Sequence, residues 1–288
     1  MTIETQPDQS DLLQSKIDKL QALEQKYRSL ALLLDAPDQN PNALQITPKR
    51  LTQANQFFTH KDMTKDGMKL VHSIWYGPQL QEFRKGIEKD DYAFYDEYDN
   101  CREVLVAGSA NAGKTSLINA LNANVVTGRV SKRSGKTEAL QFYLAQKTRF
   151  RKKKDPEDIY RGFIIDSPGY GFTSAPLVKK TQWRKLMNGY LSHAVRLELV
   201  LVLVHAQFGL RGSDIAFLER LEYYNKPALI VFSKVDKVKG GRDQLQQNLE
   251  KTSREIAKFR NVRPEIYMFS AKHNFGISEL RARIISHF

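Results

Sequence analysis

The sequence predicts a three-layer α/β domain, a mostly parallel six-stranded sheet covered by helices on both faces, preceded by a helical N-terminal extension. Three observations predict it. From Arg102 onward, short apolar runs alternate with stretches of helical periodicity. The first run joins the first helix through Gly108-Ser-Ala-Asn-Ala-Gly-Lys-Thr115, a complete G-x-x-x-x-G-K-T. The remaining Asp-, Lys- and Gly-bearing loops fall just after later apolar runs, at strand C-terminal ends, where open α/β sheets bind ligands.

The extension comes first. Asp11 to Leu34 reads as a helix whose Leu13, Ile17, Leu20, Tyr27 and Leu34 form one apolar stripe, ended by Ala36-Pro37. Glu24 interrupts the seam, so docking on its own domain or on a partner outweighs a long coiled coil. A Pro/Asn/Gln-rich linker spans 37–45. Thr47-Pro48 then places an N-cap before a proline at the first helical position, starting a helix that runs to about Phe58. Residues 60–102 are mixed, with an acidic stretch from Asp90 to Asp99. The domain division is therefore expected at 1–100 and 101–288.

Beyond it, strands are expected near 103–107, 139–145, 162–166, 198–204, 228–232 and 265–269. Helices are expected near 114–122, 176–193, 213–224, 243–260 and 276–287. The longest apolar run, Leu199 to Val204, is far too short to cross a bilayer. The single cysteine, Cys101, allows no disulfide within the chain and no cysteine zinc cluster; it reads as a small packing residue in a reducing compartment. The first fifteen residues hold no Lys or Arg, which argues against an Arg-rich transit peptide within this sequence.

The chemistry lies in the loops. In G-x-x-x-x-G-K-T, backbone N–H groups from Asn111 to Ser116 turn inward around an anion, through Ala112 and Gly113, and the following helix adds the positive end of its dipole. Lys114 is the phosphate cation and Thr115 supplies a hydroxyl to Mg²⁺. Phe163-Ile-Ile165 ends at Asp166, a carboxylate at a strand end that suits contact to the same Mg²⁺, and Gly169 offers its N–H to a γ-phosphate. Base identity rests on Ser233-Lys234-Val235-Asp236 and Ser270-Ala271-Lys272. A carboxylate at 236 accepts from both N1 and N2 of guanine, whereas adenine leaves it poorly paired. In this fixed order the loops specify GTP/GDP.

Charge is uneven. The chain carries 45 Lys and Arg against 32 Asp and Glu, net +13. Residues 1–100 are net −4, so the remainder holds +17. Between Gly128 and Lys154 ten basic residues stand against one acid, Glu138. The densest part, Lys147 to Lys154, follows the second predicted strand and reads as a loop. Either it is a solvated loop or it is a polyphosphate surface; the sparse aromatics within it fit contact to the backbone phosphates of folded RNA better than base stacking.

Taken together, residues 102–288 resemble the EngB group of ribosome-assembly GTPases, within the Era/TrmE-like class. The group's Gly-Arg-Ser-Asn-Val-Gly-Lys-Ser-Ser-Leu-Ile-Asn appears as Gly108-Ser-Ala-Asn-Ala-Gly-Lys-Thr-Ser-Leu-Ile-Asn119. Its Ser-x-x-Pro-Gly-Lys-Thr appears as Ser131-Lys-Arg-Ser-Gly-Lys-Thr137, and its Asp-x-Pro-Gly-Tyr-Gly-Tyr as Asp166-Ser-Pro-Gly-Tyr-Gly-Phe172. Trp183 and Gly189-Tyr190-Leu191 also match. Ile46-Thr-Pro-Lys49 to Asn55-Gln-Phe-Phe-Thr59 is similar to the lead-in of mitochondrial members.

The resemblance implies a P-loop GTPase that acts in late assembly of the large ribosomal subunit, in contact with rRNA. Asp11–Leu34 lies outside the resemblance; its stripe suits other assembly factors, and a GTPase that recruits a protein partner through this helix is an alternative reading. It implies a mitochondrial matrix location; cytoplasm is the alternative. Lys114, Thr137 and Gly169 would then serve catalysis, and Thr115, Thr137 and Asp166 the Mg²⁺. Asn111 matches the asparagine that related GTPases use to hold K⁺. Tyr170 stands where Ras-like enzymes carry a glutamine, which leaves open a nucleotide-gated scaffold with little turnover. The sequence also departs from the group's pattern at Ser109, Ser134, Ser233, His205 and Gln207, the last two replacing an Asp and an Arg. His205 reads as a strand-end histidine in preference to a catalytic one.

Overall fold

The computed structural model describes residues 47–59, 67–74, 101–122, 139–147, 160–171 and 177–288. The expected helix at Asp11–Leu34, Thr137, and the basic residues 129–136 and 149–154 lie outside the described residues; Lys147, read as the start of a loop, instead ends the strand Leu140–Lys147, paired with Tyr160. The chain divides into two compact units, Met1–Ala43 and Leu44–Phe288, and every described residue belongs to the second.

In chain order that unit contains α1 (Pro48–Thr59), β1 (Gly67–Ile74), β2 (Arg102–Gly108), α2 (Lys114–Leu121), β3 (Leu140–Lys147), β4 (Tyr160–Asp166) and α3 (Leu177–His193). It continues with β5 (Leu197–His205), α4 (Gly212–Tyr223), β6 (Ala228–Ser233), α5 (Gly241–Ile256), β7 (Val262–Phe269) and α6 (Ile277–Ile285). The sheet runs β1-β3-β4-β2-β5-β6-β7. β4, β2, β5, β6 and β7 form a parallel run, while β3 pairs antiparallel with both β4 and β1.

The six expected strands are all present, each within a few residues of its expected bounds. They read clearly because the central ones are covered on both faces and so are apolar at every position, as in Val104–Ala107 and Leu199–Val204. One set of alternate positions, including Val104, Val106, Leu201 and Val231, packs with Leu117 and Leu121 of α2 and Leu280 and Ile284 of α6. Of the other set, Phe142 meets Tyr190 of α3 edge-on at 6.3 Å. The Tyr190 hydroxyl donates to the buried Glu103 carboxylate at 2.6 Å, which anchors α3 to the start of β2.

β1 is a seventh strand, added beyond the six expected. It and α1 come from the stretch read as an extension, yet both join the sheet domain: the compact unit starts at Leu44, not at 101. The end of α2 shows how they are held. Arg281 of α6 donates to the Leu121 and Ala120 carbonyls at 3.0 and 2.9 Å and to Asn55 Oδ1 of α1 at 3.0 Å. These are the last carbonyls of a helix and need an outside donor. Asn122 exchanges two hydrogen bonds with the backbone of Met68 in β1. Arg281→Met is therefore expected to lower stability by about 3 kcal/mol, since buried carbonyls lose charged donors. A loss of unfolding free energy in urea of less than about 1 kcal/mol would show that α2 needs no such brace.

Candidate functional site

β2 ends at Gly108, α2 begins at Lys114, and the loop between them supplies the cradle. Gly113, which caps α2, sits at φ 98°, a conformation that a side chain disfavours. Lys114 is buried, and its Nζ donates to the Gly108 and Ser109 carbonyls, both at 3.0 Å. Burial pulls its pKa down to about 8; Asp166 opposes that shift and Lys234 adds to it. The ammonium thus lies folded over the loop, as a donor that an anion seated there can draw away from weak carbonyl partners.

β4 brings Asp166 to the same place. Thr115 Oγ1 donates to Asp166 Oδ2 at 2.8 Å, while Asp166 Oδ1 is buried without a hydrogen-bond partner. Burial raises Asp166 from an ordinary 3.8 to about 6, against the pull of Lys114 and the Thr115 hydrogen bond. The two residues form a small oxygen site beneath the cradle. No cluster of three His, Cys, Asp or Glu exists among the described residues, so a metal here would depend on this pair and on ligand oxygens.

A raised carboxylate binds its proton more tightly in the folded chain than in the unfolded one. Its contribution to stability is complete below 3.8 and is lost as pH rises through about 6. Nucleotide-free wild type is expected to lose stability relative to Asp166→Asn across that window. Parallel melting-temperature profiles for the two proteins would show that the group titrates normally.

The segment after Asp166 is sewn to the cradle. Ser167 donates to the Val106 carbonyl through both its N–H and its hydroxyl. Tyr170 N–H donates to Gly108 O at 3.2 Å, and Ala110 N–H donates to Tyr170 O at 3.0 Å. A Cβ on Gly169 would stand 2.9 Å from the Ala110 backbone and 3.0 Å from Lys114 Nζ, so glycine alone allows this approach. Trp183 of α3 donates from Nε1 to the Pro168 carbonyl at 2.9 Å. Tyr170 itself is buried, stacked on Phe217 at 4.8 Å and edge-on to Trp183 at 6.0 Å. Burial, then Asp214, holds its phenol well above the usual range. The residue after Gly169 therefore belongs to the core behind the loop and does not face the cradle.

On the other side of the cradle, Lys234 takes a left-handed conformation at φ 56° and donates from Nζ to Asn111 O. Asp236 is oriented by Ser270, whose hydroxyl donates to Asp236 Oδ1 at 2.7 Å. Ala271 packs against the core and Lys272 is exposed. Ser233 is fully buried, and its hydroxyl donates to Val204 O at 3.3 Å, bracing β6 against β5. His205 ends β5 as a strand-end residue.

The fold thus gathers Asn111 to Ser116, Asp166, Gly169, Lys234, Asp236 and Ser270 to Lys272 on one rim of the sheet; Thr137 falls outside the described residues. Sequence reading missed what Trp183 does. It matched a pattern, but no local spacing shows an indole reaching back to Pro168.

Comparison with known proteins places the site in a family. The model of the 50S ribosome-binding GTPase family matches residues 103–234. The probable GTP-binding protein EngB of Rhodopseudomonas palustris (strain BisB5) is 34% identical over 216 residues, covering 74% of this chain and 87% of the relative. Its counterpart from Jannaschia sp. (strain CCS1) is 32% identical over 182 residues, covering 63% and 77%. Among solved structures, a point variant of Aquifex aeolicus Era bound to GDP and aluminium fluoride superposes with a TM-score of 0.52 at 20% identity. That match covers 65% of this chain and 57% of Era, so the chain spans a little over half of Era's length and shares its fold. On the extent and level of these matches, the chain belongs to the EngB family of GTP-binding proteins and is a GTPase.

Proposed function

We propose that this GTPase is a switch for assembly of the large ribosomal subunit, acting in the mitochondrial matrix through contact with ribosomal RNA. The observation that carries the switch is the double backbone pairing of Tyr170 with Gly108 and Ala110. It makes the loop after Asp166 part of the cradle, so what fills the cradle is felt through that loop and Trp183 by α3. The family description, a 50S ribosome-binding GTPase, supports the large subunit. Era, which shares this fold, has been crystallised with MgGDPNP and nucleotides of 16S ribosomal RNA; this and the basic run from Arg129 to Lys154 support RNA. The mitochondrial assignment rests on the lead-in between Ile46 and Thr59. The Asp11–Leu34 stripe is assigned to other assembly factors.

Mg²⁺ fits the oxygen pair. A buried carboxylate oxygen without a partner, beside a hydroxyl, suits a hard cation that takes oxygen ligands. Thr115, Asp166 and Thr137 would hold it, and when bound it supplies positive charge to phosphate oxygens. Lys114 moves from loop carbonyls to phosphate, Asp236 and Ser270 read the guanine edge, and Gly169 brings its loop against the cradle. Because Tyr170 is turned into the core, it does not orient water. Asn111, exposed at φ 61° on the cradle's outer turn, is assigned to K⁺, whose charge would stand in for an arginine finger.

Two measurements test this reading. Co-sedimentation with large-subunit particles should require a non-hydrolysable GTP analogue and fail with GDP; equal recovery with both would remove the switch. Turnover should rise when K⁺ replaces Na⁺, and rates indifferent to the cation would remove the role of Asn111.

A further inference from the structure

The departures at His205 and Gln207 have a structural consequence outside the nucleotide site. The turn from His205 to Arg211 is fixed on several sides. Ala206 N–H donates to Ser233 O at 3.0 Å, and the Phe208 and Gly209 N–H groups donate to His205 O. Asn248 of α5 donates from Nδ2 to the Ala206 and Gln207 carbonyls at 2.8 and 3.1 Å. Gln207 Oε1 accepts from Lys239 N–H at 2.7 Å, tying this turn to the loop that follows Asp236. The His205 ring packs 5.0 Å from Phe208, and its Nδ1 accepts from Gln207 N–H.

What the fixed turn presents is Phe208, 54% exposed. The Arg211 guanidinium covers one side of its ring at 4.1 Å from the centroid. The neighbouring His205 stands in a positive field. Beyond burial, Lys234, Arg211 and Lys237 together hold His205 down to about 4, with Asp236 the one acid opposing them. Lys239 and Arg242 lie exposed on the adjoining loop and first turn of α5. A lone exposed Phe is ordinary. An exposed Phe on a turn held from both neighbouring elements, backed by a guanidinium and tied to a loop that carries Lys237 and Lys239, matches the arrangement by which single-stranded nucleic acid is held: an aromatic face for a base and cations for its phosphates.

We propose that the Phe208 platform binds an unpaired base of RNA, with Arg211, Lys237, Lys239 and Arg242 on the flanking phosphates. The proposal rests on the RNA reading above and gives it a second contact, one that uses stacking, apart from the Lys147–Lys154 run.

The test measures binding of a short mixed-sequence single-stranded RNA, and of the same sequence as a duplex, to full-length wild type, Phe208→Ala and Phe208→Trp in the GTP-analogue state. Phe208→Ala is expected to weaken single-strand binding about tenfold, Phe208→Trp to restore it, and duplex binding to change little. Lys237→Ala with Lys239→Ala should lower the slope of log affinity against log salt by about 1.4. GDP affinity and melting temperature report that the variants are folded. If wild type binds RNA and Phe208→Ala binds it equally, the platform is overturned while the RNA reading stands. If wild type binds no RNA of either form, both fall. If Phe208→Ala weakens binding to ribosomal particles but not to RNA, the platform faces a protein and the proposal is overturned.

Discussion

Replacing Lys114 with alanine is expected to abolish tight GTP binding. The Lys114 ammonium is buried, and among the described residues it donates to the Gly108 and Ser109 carbonyls. Neutral carbonyls are poor partners for a desolvated cation, and burial has already drawn its pKa to about 8. Phosphate oxygens satisfy it better, so its interaction energy is realised on binding. Two charge-assisted hydrogen bonds amount to about 3–6 kcal/mol, or a loss of at least about a hundredfold in affinity. Titration with a fluorescent GTP analogue measures this directly. An affinity within about threefold of wild type would mean that the backbone N–H groups bind the phosphates unaided, and that the lysine has been assigned the wrong work.

Asp236→Asn is expected to turn preference from guanine to xanthine, with GTP affinity falling about a thousandfold. In the wild type the Ser270 hydroxyl holds one carboxylate oxygen at 2.7 Å, so the group has a fixed orientation before any base arrives. An amide in that orientation presents a donor toward guanine's own N–H groups. Xanthine offers a carbonyl at the same edge and accepts the new donor. Competition between GTP and XTP for the variant decides the matter; retained preference for GTP would place base recognition elsewhere.

Most of the sheet was legible because its central strands are dry on both faces. β5, Leu197–His205, is almost uniformly apolar, and no amphipathic helix of that length would be. The phosphate cradle was legible because its chemistry is local, eight consecutive residues from Gly108 to Thr115. β1 was not. Gly67–Ile74 is broken by polar Lys69, His72 and Ser73, and becomes a strand by pairing with β3, with a register shift between Leu70 and His72. Its stability is supplied by partners far away in sequence. Helix α1 was legible through Thr47-Pro48, but its membership of the domain was not, because that depends on Arg281 crossing 226 positions to Asn55. Tyr170 illustrates the same limit within the site. Its identity showed that no glutamine stood there; only Trp183 and Phe217 show that the ring faces inward.

The pairing of β1 with β3 closes one route by which partners read a GTPase. β3 is the strand that follows Thr137, and it is bonded along both edges, by β1 and by β4. An open strand edge invites another chain to extend the sheet, a mode in which backbone hydrogen bonds give affinity with little regard to sequence. Here the chain has filled that place with its own backbone. A partner that senses the nucleotide through β3 must recognise side chains and loop shape, where selectivity is set by charge and fit.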